Sequence, residues 1–432
     1  MDYLGILVLI ISFVFFLAIG VPIAYSIGIS GILTMMVSIA PLPSFTTLAQ
    51  RMATGLDSFA LLAIPFFILA GQLMNRGGIA IRLIDFAKVL VGGLPGGLAF
   101  VNIMANMLFG AISGSAAASA SAIGGFMHPR MVKEGYDKSF SAAVNITSAT
   151  TGLVIPPSNI LIVYSLASGG VSIAALFIAG YIPGILTGIA LMGVAAAYAY
   201  RKNYPVGEKT GLKESVIKFV QAIPSLLLLI IVIGGIIAGI FTATEASAVA
   251  VLYTLVLAMI YGEIKIADIP EILLKTVEVT AMVLFLVGTS IGLSWIMSYE
   301  NIPQEVSNGL LNLSDNPFVI LLVINFILLA VGIFMDMTPA VLIFTPIFLP
   351  VVTSQLGMDP IHFGIIMVMN LSIGLGTPPV GSLLFIGCSV AQVGIKDVVK
   401  PLLPLFVAML IVLLFVTYVP ALSLWLPHFF GF

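Results

Sequence analysis

The sequence predicts an all-α polytopic membrane protein composed of two inverted-topology repeats, and three observations lead to this fold class. Of the 432 residues, 60% are hydrophobic and 8% are charged, whereas a soluble chain carries roughly 25% charged residues. The apolar runs are long and continuous, which is typical of membrane helices and not of barrel strands. The second half of the chain also resembles the first half at a constant offset. A soluble globular protein is therefore excluded.

Charge and the metal-binding residue types narrow the possible functions further. The 16 Lys and Arg residues balance 18 Asp and Glu residues, so the chain lacks the basic surface of a nucleic-acid-binding protein. Cys388 is the only cysteine, which excludes an internal disulfide and a cysteine-based metal cluster. His128, His362 and His428 lie far apart in sequence, so we expect no His-rich metal site. We also expect no cleavable signal, because no basic region precedes the first apolar stretch at Tyr3.

The first half of the chain, residues 1–200, contains every element of the predicted repeat. Residues 76–94 mix Arg and Lys with Ile and Leu, which predicts an arm lying in the membrane interface. Ser113-Gly114-Ser115 interrupts the apolar block 96–128, which predicts a re-entrant hairpin, and Pro156-Pro157 breaks the helix predicted over 137–168. The remaining blocks predict scaffold spans at about 3–20, 22–40, 59–75 and 171–199, with a polar stretch over 41–58.

The second half, residues 221–432, repeats this order after a hydrophilic linker at 201–220. Asp336-Met337-Thr338-Pro339 interrupts the apolar block 317–353, which predicts a second re-entrant hairpin. A second interfacial arm is predicted over 299–316, and a second broken helix over 361–391. The remaining spans are predicted at about 221–241, 243–261, 277–298 and 401–427.

A shift of 222 positions relates the two halves, and it carries Gly135 onto Gly357 and Asp137 onto Asp359. The same shift overlays the two arms and the two interrupted blocks. We interpret this pattern as an internal duplication. The other identical pairs are Gly152-Leu153 with Gly374-Leu375, Pro156-Pro157 with Pro378-Pro379, Leu161 with Leu383, Val171 with Val393, and Ile173 with Ile395.

The distribution of basic residues predicts the orientation. If the N-terminus is outside and each hairpin returns to its starting side, all but one of the 16 Lys and Arg residues face the cytoplasm. Arg51 is the exception. The arm at 299–316 carries Glu300, Glu305 and Asp315 but no Lys or Arg, and it faces outside. Each half then has about five crossings, so the second half is inverted and both termini are periplasmic. Inverted repeats are typical of secondary transporters.

The hairpin turns and the proline breaks within the apolar blocks are the candidate ligand-binding sites. Small residues such as Ser113 and Ser115 allow a turn at membrane depth, although they also suit close helix packing. The Pro156-Pro157 break frees carbonyls that can bind a small cation, and the half-helix after it presents amides to an anion. A proline kink without a ligand is the alternative. The matching break at Pro378-Pro379 favours a transport site, because paired broken helices mark such sites.

Two acidic residues have a structural and a functional interpretation. Asp336 lies within an apolar block, where an acid is costly and usually functional. It can also cap the helix that begins near Thr338, and the two roles are compatible. Glu245 begins a span, and stabilisation by the helix dipole is the better interpretation. The predicted span interiors hold no Lys or Arg, so an anionic ligand would meet half-helix N-termini, hydroxyls, bound cations or an edge arginine. Neither a phosphate-binding loop nor a Ser/His/acid set is evident.

Four segments carry a family resemblance: Ser58–Gly71, Phe109–Ser115, Ile155-Pro156-Pro157-Ser158 and Gly376-Thr377-Pro378-Pro379. They resemble signatures of the large membrane subunit of TRAP (tripartite ATP-independent periplasmic) transporters. The likeness covers nearly the whole chain. One departure is Ala243, where the family segment matching Thr242–Ala246 usually has Pro.

The resemblance implies an elevator-type transporter in the bacterial inner membrane. Transport in this family is coupled to Na+, and the substrates are carboxylates of the C4-dicarboxylate or sialic acid type. It requires a small four-helix membrane subunit and a soluble periplasmic substrate-binding protein. The apolar faces of 3–40 and 221–261 would pair with the small subunit, though they suit lipid equally well.

The resemblance also implies sodium sites where each hairpin tip meets its broken helix. The first would use the Ser113 and Ser115 side chains with the carbonyls of Gly152, Ile155 and Pro157. The second, by the shift of 222, would use Gly374, Thr377 and Pro379. There the two serines correspond to Met335 and Met337, so Thr338 or tip carbonyls would substitute. The candidate substrate contacts are Ser158, Asn159, Asp336, Gly381 and Ser382.

Three other functions remain open at this point. A self-sufficient sodium–dicarboxylate symporter of similar architecture needs no binding protein. A membrane-embedded enzyme would need polar catalytic side chains within the spans, and few besides Asp336 are present. A passive channel is disfavoured by inverted repeats with closed hairpins.

Overall fold

Within the described residues, the first half of the molecule consists of ten helices and one 3-10 turn. The computed structural model describes residues 4–204, 211–314 and 316–432, and within these ranges the regular structure is entirely helical. The helices are α1 (Leu4–Ala18), α2 (Ile23–Ser38), α3 (Pro41–Leu56), α4 (Ala63–Arg76), α5 (Ile79–Val91), α6 (Gly97–Ser113), α7 (Ala116–Lys133), α8 (Lys138–Thr151), α9 (Asn159–Ala167) and α10 (Ile173–Lys202), and the 3-10 turn at Phe59–Leu62 precedes α4.

The second half follows a similar order, but one long helix stands in the place of α3 and α4, and two helices stand in the place of α10. A 3-10 turn at Ile266–Asp268 precedes the long helix. The helices of the second half are α11 (Leu212–Ile237), α12 (Ala243–Ile260), α13 (Ile269–Tyr299), α14 (Ile302–Leu313), α15 (Pro317–Phe334), α16 (Met337–Ser354), α17 (Pro360–Leu375), α18 (Ser382–Ala391), α19 (Ile395–Tyr418) and α20 (Ala421–Phe429).

The length and composition of the helices confirm the polytopic membrane fold. Eight of the helical segments in the described ranges are long and apolar enough to cross a membrane, and shorter apolar helices accompany them. The outer surface is rich in large apolar side chains, such as Ile10 and Phe15 on α1, each more than half exposed. A surface of this kind is stable in lipid, where apolar groups need no shielding from water.

Glycine contacts join each hairpin to the helix that breaks beside it. A Cβ atom on Gly110 of α6 would lie 2.8 Å from the Cα of Gly152, just after α8. A Cβ atom on Gly332 of α15 would lie 3.1 Å from the Cα of Gly374 of α17. The shift of 222 positions carries the first pair onto the second. The same backbone approach therefore recurs in both halves, at positions where a side chain would hold the helices apart.

Buried amides also join the first hairpin to α8. The Asn106 side chain donates to Asn145 Oδ1 at 3.1 Å and to Ser148 Oγ at 2.9 Å, and Ser119 Oγ donates to Asn106 Oδ1 at 2.7 Å. In the second half, Asn370 of α17 donates to Asn325 Oδ1 of α15 at 2.7 Å. Because buried amides are costly without partners, these bonds specify how each hairpin sits on its broken helix.

The equivalence between the two hairpin tips differs by one residue from the sequence shift of 222. The first tip turns through Gly114, whose φ of +62° suits glycine, and its second helix is capped by Ser115. The second tip turns through Met335, and its second helix is capped by Asp336. Asp336 therefore takes the place of Ser115, and the sequence shift of 222, which pairs Ser115 with Met337, is wrong by one residue at the tip. Local turn geometry, rather than side-chain identity, decides this register.

Several predicted boundaries differ from the structure. The stretch at 41–58 is mostly the helix α3, which packs Leu48 against α13. The span at 277–298 belongs to the longer α13, which begins with Pro270 in its first turn. The span at 401–427 divides into α19 and α20, because Pro420 has no N–H to continue the helix. Lys209 within the linker and Asp315 within the second arm lie outside the described residues.

Candidate functional site

The interruptions of both halves meet at one cavity of about 270 Å³. The first hairpin tip contributes Ser113 to Ala118, and the second contributes Asp336 to Thr338. Helices α4 and α13 form the remaining wall. The lining also includes Gln72, Asn75, Asn159, Val279, Val283 and Ser382.

Four helices begin at this cavity. The first residues of α7, α9, α16 and α18 all line it, so each half contributes one hairpin helix and one half-helix. The first amides of a helix have no partner within the helix, and the helix dipole places partial positive charge there. Among the described residues that line the cavity, Asp336 has the only ionisable side chain. The helix starts are therefore suited to an anion held by backbone amides, and among these described lining residues the Asp336 carboxyl group is the one acidic group that opposes it.

Of the four helices that begin at the cavity, only the two hairpin helices, α7 and α16, have side-chain caps. Ser115 Oγ accepts from the Ala118 amide at 3.2 Å, and Asp336 Oδ1 accepts from the Met337 amide at 2.9 Å. Asp336 thus caps α16, which confirms the structural one of its two predicted roles. The half-helices differ: Ser158 Oγ donates to the Leu153 carbonyl instead of capping α9, and Gly381 has no side chain to cap α18. The free amides of α9 and α18 remain available to a ligand.

The carbonyls of the first break have the properties of cation ligands. Gly152, Ile155 and Pro157 are buried, and no donor among the described residues bonds to their carbonyl oxygens. A buried carbonyl without a partner costs free energy, which a bound cation or water would recover. Ser113 Oγ donates to the Ser115 carbonyl at 3.5 Å, a long bond that a stronger partner can replace.

The second break is organised differently. The Gly374 carbonyl accepts from the Thr377 amide at 2.9 Å, and the Thr377 carbonyl accepts from the Gly381 amide at 3.1 Å. The Thr377 hydroxyl donates to the Ile373 carbonyl at 2.8 Å. Pro379 is exposed. Most of these groups already have partners, so the second set is less free to bind a cation than the first.

The predicted site residues divide into two groups. Ser113, Ser115, Asn159, Asp336, Thr338 and Ser382 line the cavity. Gly152, Ile155, Pro157, Ser158, Gly374, Thr377, Pro379 and Gly381 lie in the breaks behind it. Sequence reasoning missed Gln72 and Asn75 of α4, which also line the cavity. Their spacing of three residues on an apolar helix was the available signal, because it places both amides on one helix face.

Glu245 has the structural role expected for it. Its carboxylate accepts from the Thr242 amide at 2.8 Å, and the Thr242 hydroxyl accepts from the Glu245 amide at 3.3 Å. This reciprocal pair is a capping box at the start of α12, and it lies away from the cavity lining.

Comparison with known families identifies the class of protein. Residues 10–422 match the family described as tripartite ATP-independent periplasmic transporter, DctM component. The chain belongs to this family and is a large membrane subunit of a TRAP transporter. It is therefore a multi-pass transport protein of the inner membrane and not an enzyme. Transporters of this family work with a small membrane subunit and a periplasmic binding protein.

Individual relatives align along almost the whole chain. YgiK of Salmonella typhimurium is 57% identical and covers 99% of this chain and 98% of its own length. The C4-dicarboxylate TRAP transporter large permease DctM of Pseudomonas aeruginosa is 40% identical over 94% of each chain. The isethionate TRAP transporter permease DctMQ of Oleidesulfovibrio alaskensis is 42% identical, and the match covers 100% of this chain and 67% of that protein.

A solved structure supports the fold. The crystal structure of the YdaH transporter of Alcanivorax borkumensis superposes with a TM-score of 0.64, covering 88% of this chain and 87% of that chain. The sequence identity is 13%, so this likeness concerns the fold alone.

Proposed function

We propose that the chain takes up a carboxylate, of the C4-dicarboxylate or sialic acid type, by symport with Na+. The observation that carries the proposal is the convergence of four helix N-termini on one cavity that no basic side chain lines among the described residues. Backbone amides at helix starts bind anions without a fixed positive charge. Such a site can release its anion more readily than one built on a buried arginine.

The first break supports the sodium part of the proposal. Hard oxygen ligands suit Na+, and the buried carbonyls of Gly152, Ile155 and Pro157 supply three of them. Ser113 and Ser115 would add hydroxyl or carbonyl oxygens from the hairpin tip. A cation there neutralises charge close to the anion cavity, and this couples the two ligands. The second candidate set, Gly374, Thr377, Pro379 and Thr338, would need to rearrange its hydrogen bonds first.

The proposed direction and machinery follow the orientation of the repeats. With the termini in the periplasm, the basic loops lie in the cytoplasm. We propose that the hairpins and broken helices move as one unit against α4, α12 and α13, in an elevator motion. Ser158, Asn159, Asp336, Gly381 and Ser382 are the proposed substrate contacts of the moving unit.

The proposed partners are a four-helix membrane subunit and a soluble binding protein that delivers the substrate. The DctMQ relative supports the first partner, since its name joins two components and its length exceeds this chain. The DctM relative, named for C4-dicarboxylate, supports the substrate class. Exposed apolar side chains on α1 and α11, such as Leu7 and Ile230, offer a surface for the small subunit.

Reconstitution tests this function directly. Radiolabelled succinate or N-acetylneuraminate uptake would be measured in proteoliposomes containing the chain alone, the chain with the small subunit, and both with substrate-loaded binding protein. Each set is compared with and without an inward sodium gradient. We expect uptake only with all components and sodium.

Two outcomes would contradict the proposal in different ways. Robust sodium-driven uptake by the chain alone would replace the tripartite mechanism by a self-sufficient symporter. Uptake by the complete system without any sodium gradient would refute sodium coupling and leave the partners in place.

A further inference from the structure

Part of the cavity wall is formed by α4, which also contacts α12 and α13. Arg76, at the end of α4, forms an ion pair with Glu271 of α13. Gly77 lies against α12, where a Cβ atom on it would be 2.7 Å from the Cβ of Ala258. Helix α4 also approaches the first tip, since a Cβ atom on Gly71 would lie 3.0 Å from the Ser113 carbonyl oxygen. Helix α4 is therefore held against α12 and α13 while its cavity face lies next to the first tip.

Two amide side chains on this face have no protein partner. Gln72 is half-buried and Asn75 is exposed, and both line the cavity. Neither amide makes a hydrogen bond within the described part of the chain, whereas the buried amides of Asn102, Asn106 and Asn145 each have a partner. An amide that lines a cavity without a partner has donors and an acceptor free for a ligand.

The rest of the cavity lining defines what these amides meet. Val279 and Val283 of α13 are apolar, and the helix starts present amides. An anion held at the helix starts therefore leaves the rest of its surface facing α4. If that part carries a second polar group, Gln72 and Asn75 are the side chains on α4 that can bond to it.

We propose that Gln72 and Asn75 determine specificity by recognising the second polar group of a bifunctional anion. The inference rests on the proposed function, because it assumes that the cavity binds the transported anion. Neutral amides both donate and accept, so they accommodate a second carboxylate, a hydroxyl or a carbonyl. They discriminate against an anion whose other end is a plain alkyl chain, because that end would leave both amides desolvated and unpaired.

A thiol-protection assay tests this role. Ala117, exposed at the start of α7 and lining the cavity, is changed to Cys in a Cys388→Ser background as a reporter. The rate of its modification by a water-soluble thiol reagent is measured against increasing succinate or N-acetylneuraminate, with sodium present. Butyrate, which has four carbons and one carboxylate, is the matched ligand without a second polar group.

Three variants are then compared in the reporter background. Gln72→Leu and Asn75→Leu each remove one amide, and Gln50→Leu removes an exposed amide on α3 that does not line the cavity. We expect the concentration for half-protection by succinate to rise about tenfold in the first two, the loss typical of a hydrogen bond to a charged group. The Gln50 variant should match the parent. Weak protection by butyrate should not weaken in the Gln72 and Asn75 variants and should strengthen if the unpaired amides oppose its alkyl end.

The outcomes separate this inference from the proposed function. No protection of the reporter by succinate or N-acetylneuraminate would refute carboxylate binding in the cavity, and the role of the amides with it. Protection that is unchanged by both Leu variants would refute only the role of Gln72 and Asn75. An equal loss of succinate and butyrate protection would also refute it, since the second polar group would then not matter. Melting temperatures of the variants identify any general loss of folding.

Discussion

Adding a methyl group at Gly110 tests the contact that joins the first hairpin to its broken helix. In Gly110→Ala the new Cβ would lie 2.8 Å from the Gly152 Cα. Carbon atoms in contact stand about 3.5–4.0 Å apart, so α6 and the start of the break must separate by roughly 1 Å. Ser113 follows one turn later, so the same displacement moves the hairpin tip away from the carbonyls of the break.

The expected cost combines two opposing effects. Overpacking a tight contact typically costs about 1–3 kcal/mol. Replacing a helical glycine with alanine stabilises the folded state by about 0.5–1 kcal/mol, because alanine reduces the conformational freedom of the unfolded chain. The difference centres on a loss of about 1 kcal/mol in the free energy of unfolding for Gly110→Ala. Gly332→Ala should cost less, because its Cβ would lie 3.1 Å from the Gly374 Cα.

Thermal unfolding of the purified protein measures this prediction. The matched control is Gly125→Ala on α7, where a Cβ atom would have nothing within 4 Å. The melting temperature should fall most for Gly110→Ala, less for Gly332→Ala, and stay level or rise for Gly125→Ala. A Gly110→Ala protein that melts as high as the Gly125→Ala control would show that the close backbone contact does not exist.

Two further predictions concern the cation site and the orientation. Ser113→Ala should raise the sodium concentration for half-maximal uptake by about three- to tenfold, the effect of losing one oxygen partner. The control is Ser12→Ala, because the Ser12 hydroxyl bonds within α1, and it should leave this sodium concentration unchanged. If the two variants show equal sodium dependence, the sodium site lies elsewhere. In a Cys388→Ser background, Gln355→Cys should react with an impermeant thiol reagent applied to whole cells, and Lys133→Cys should not. Both positions are exposed, and the reverse labelling pattern would refute the inverted orientation.

Features that depend on composition or on local chain geometry were predictable from the sequence. The membrane class follows from 60% hydrophobic and 8% charged residues, because such a surface is stable only in lipid. Proline and glycine act on the backbone at their own positions, so the breaks at Pro156-Pro157 and Pro378-Pro379 and the turn at Gly114 could be located. The shift of 222 pairs Asp137 with Asp359, and the structure shows that each caps the helix that follows it.

Features that depend on packing between distant segments were decided by the tertiary structure alone. The sequence identified both tips and both breaks, but the meeting of four helix starts at one cavity follows from how the hairpins pack. Gln72 and Asn75 look like ordinary polar residues of a helix until the fold places them in that cavity's wall. The carbonyls of Gly152 and Gly374 match in sequence, yet only the second accepts an amide hydrogen bond from a described residue. Sequence similarity records which residues are equivalent, whereas the partners of each group depend on its three-dimensional neighbours.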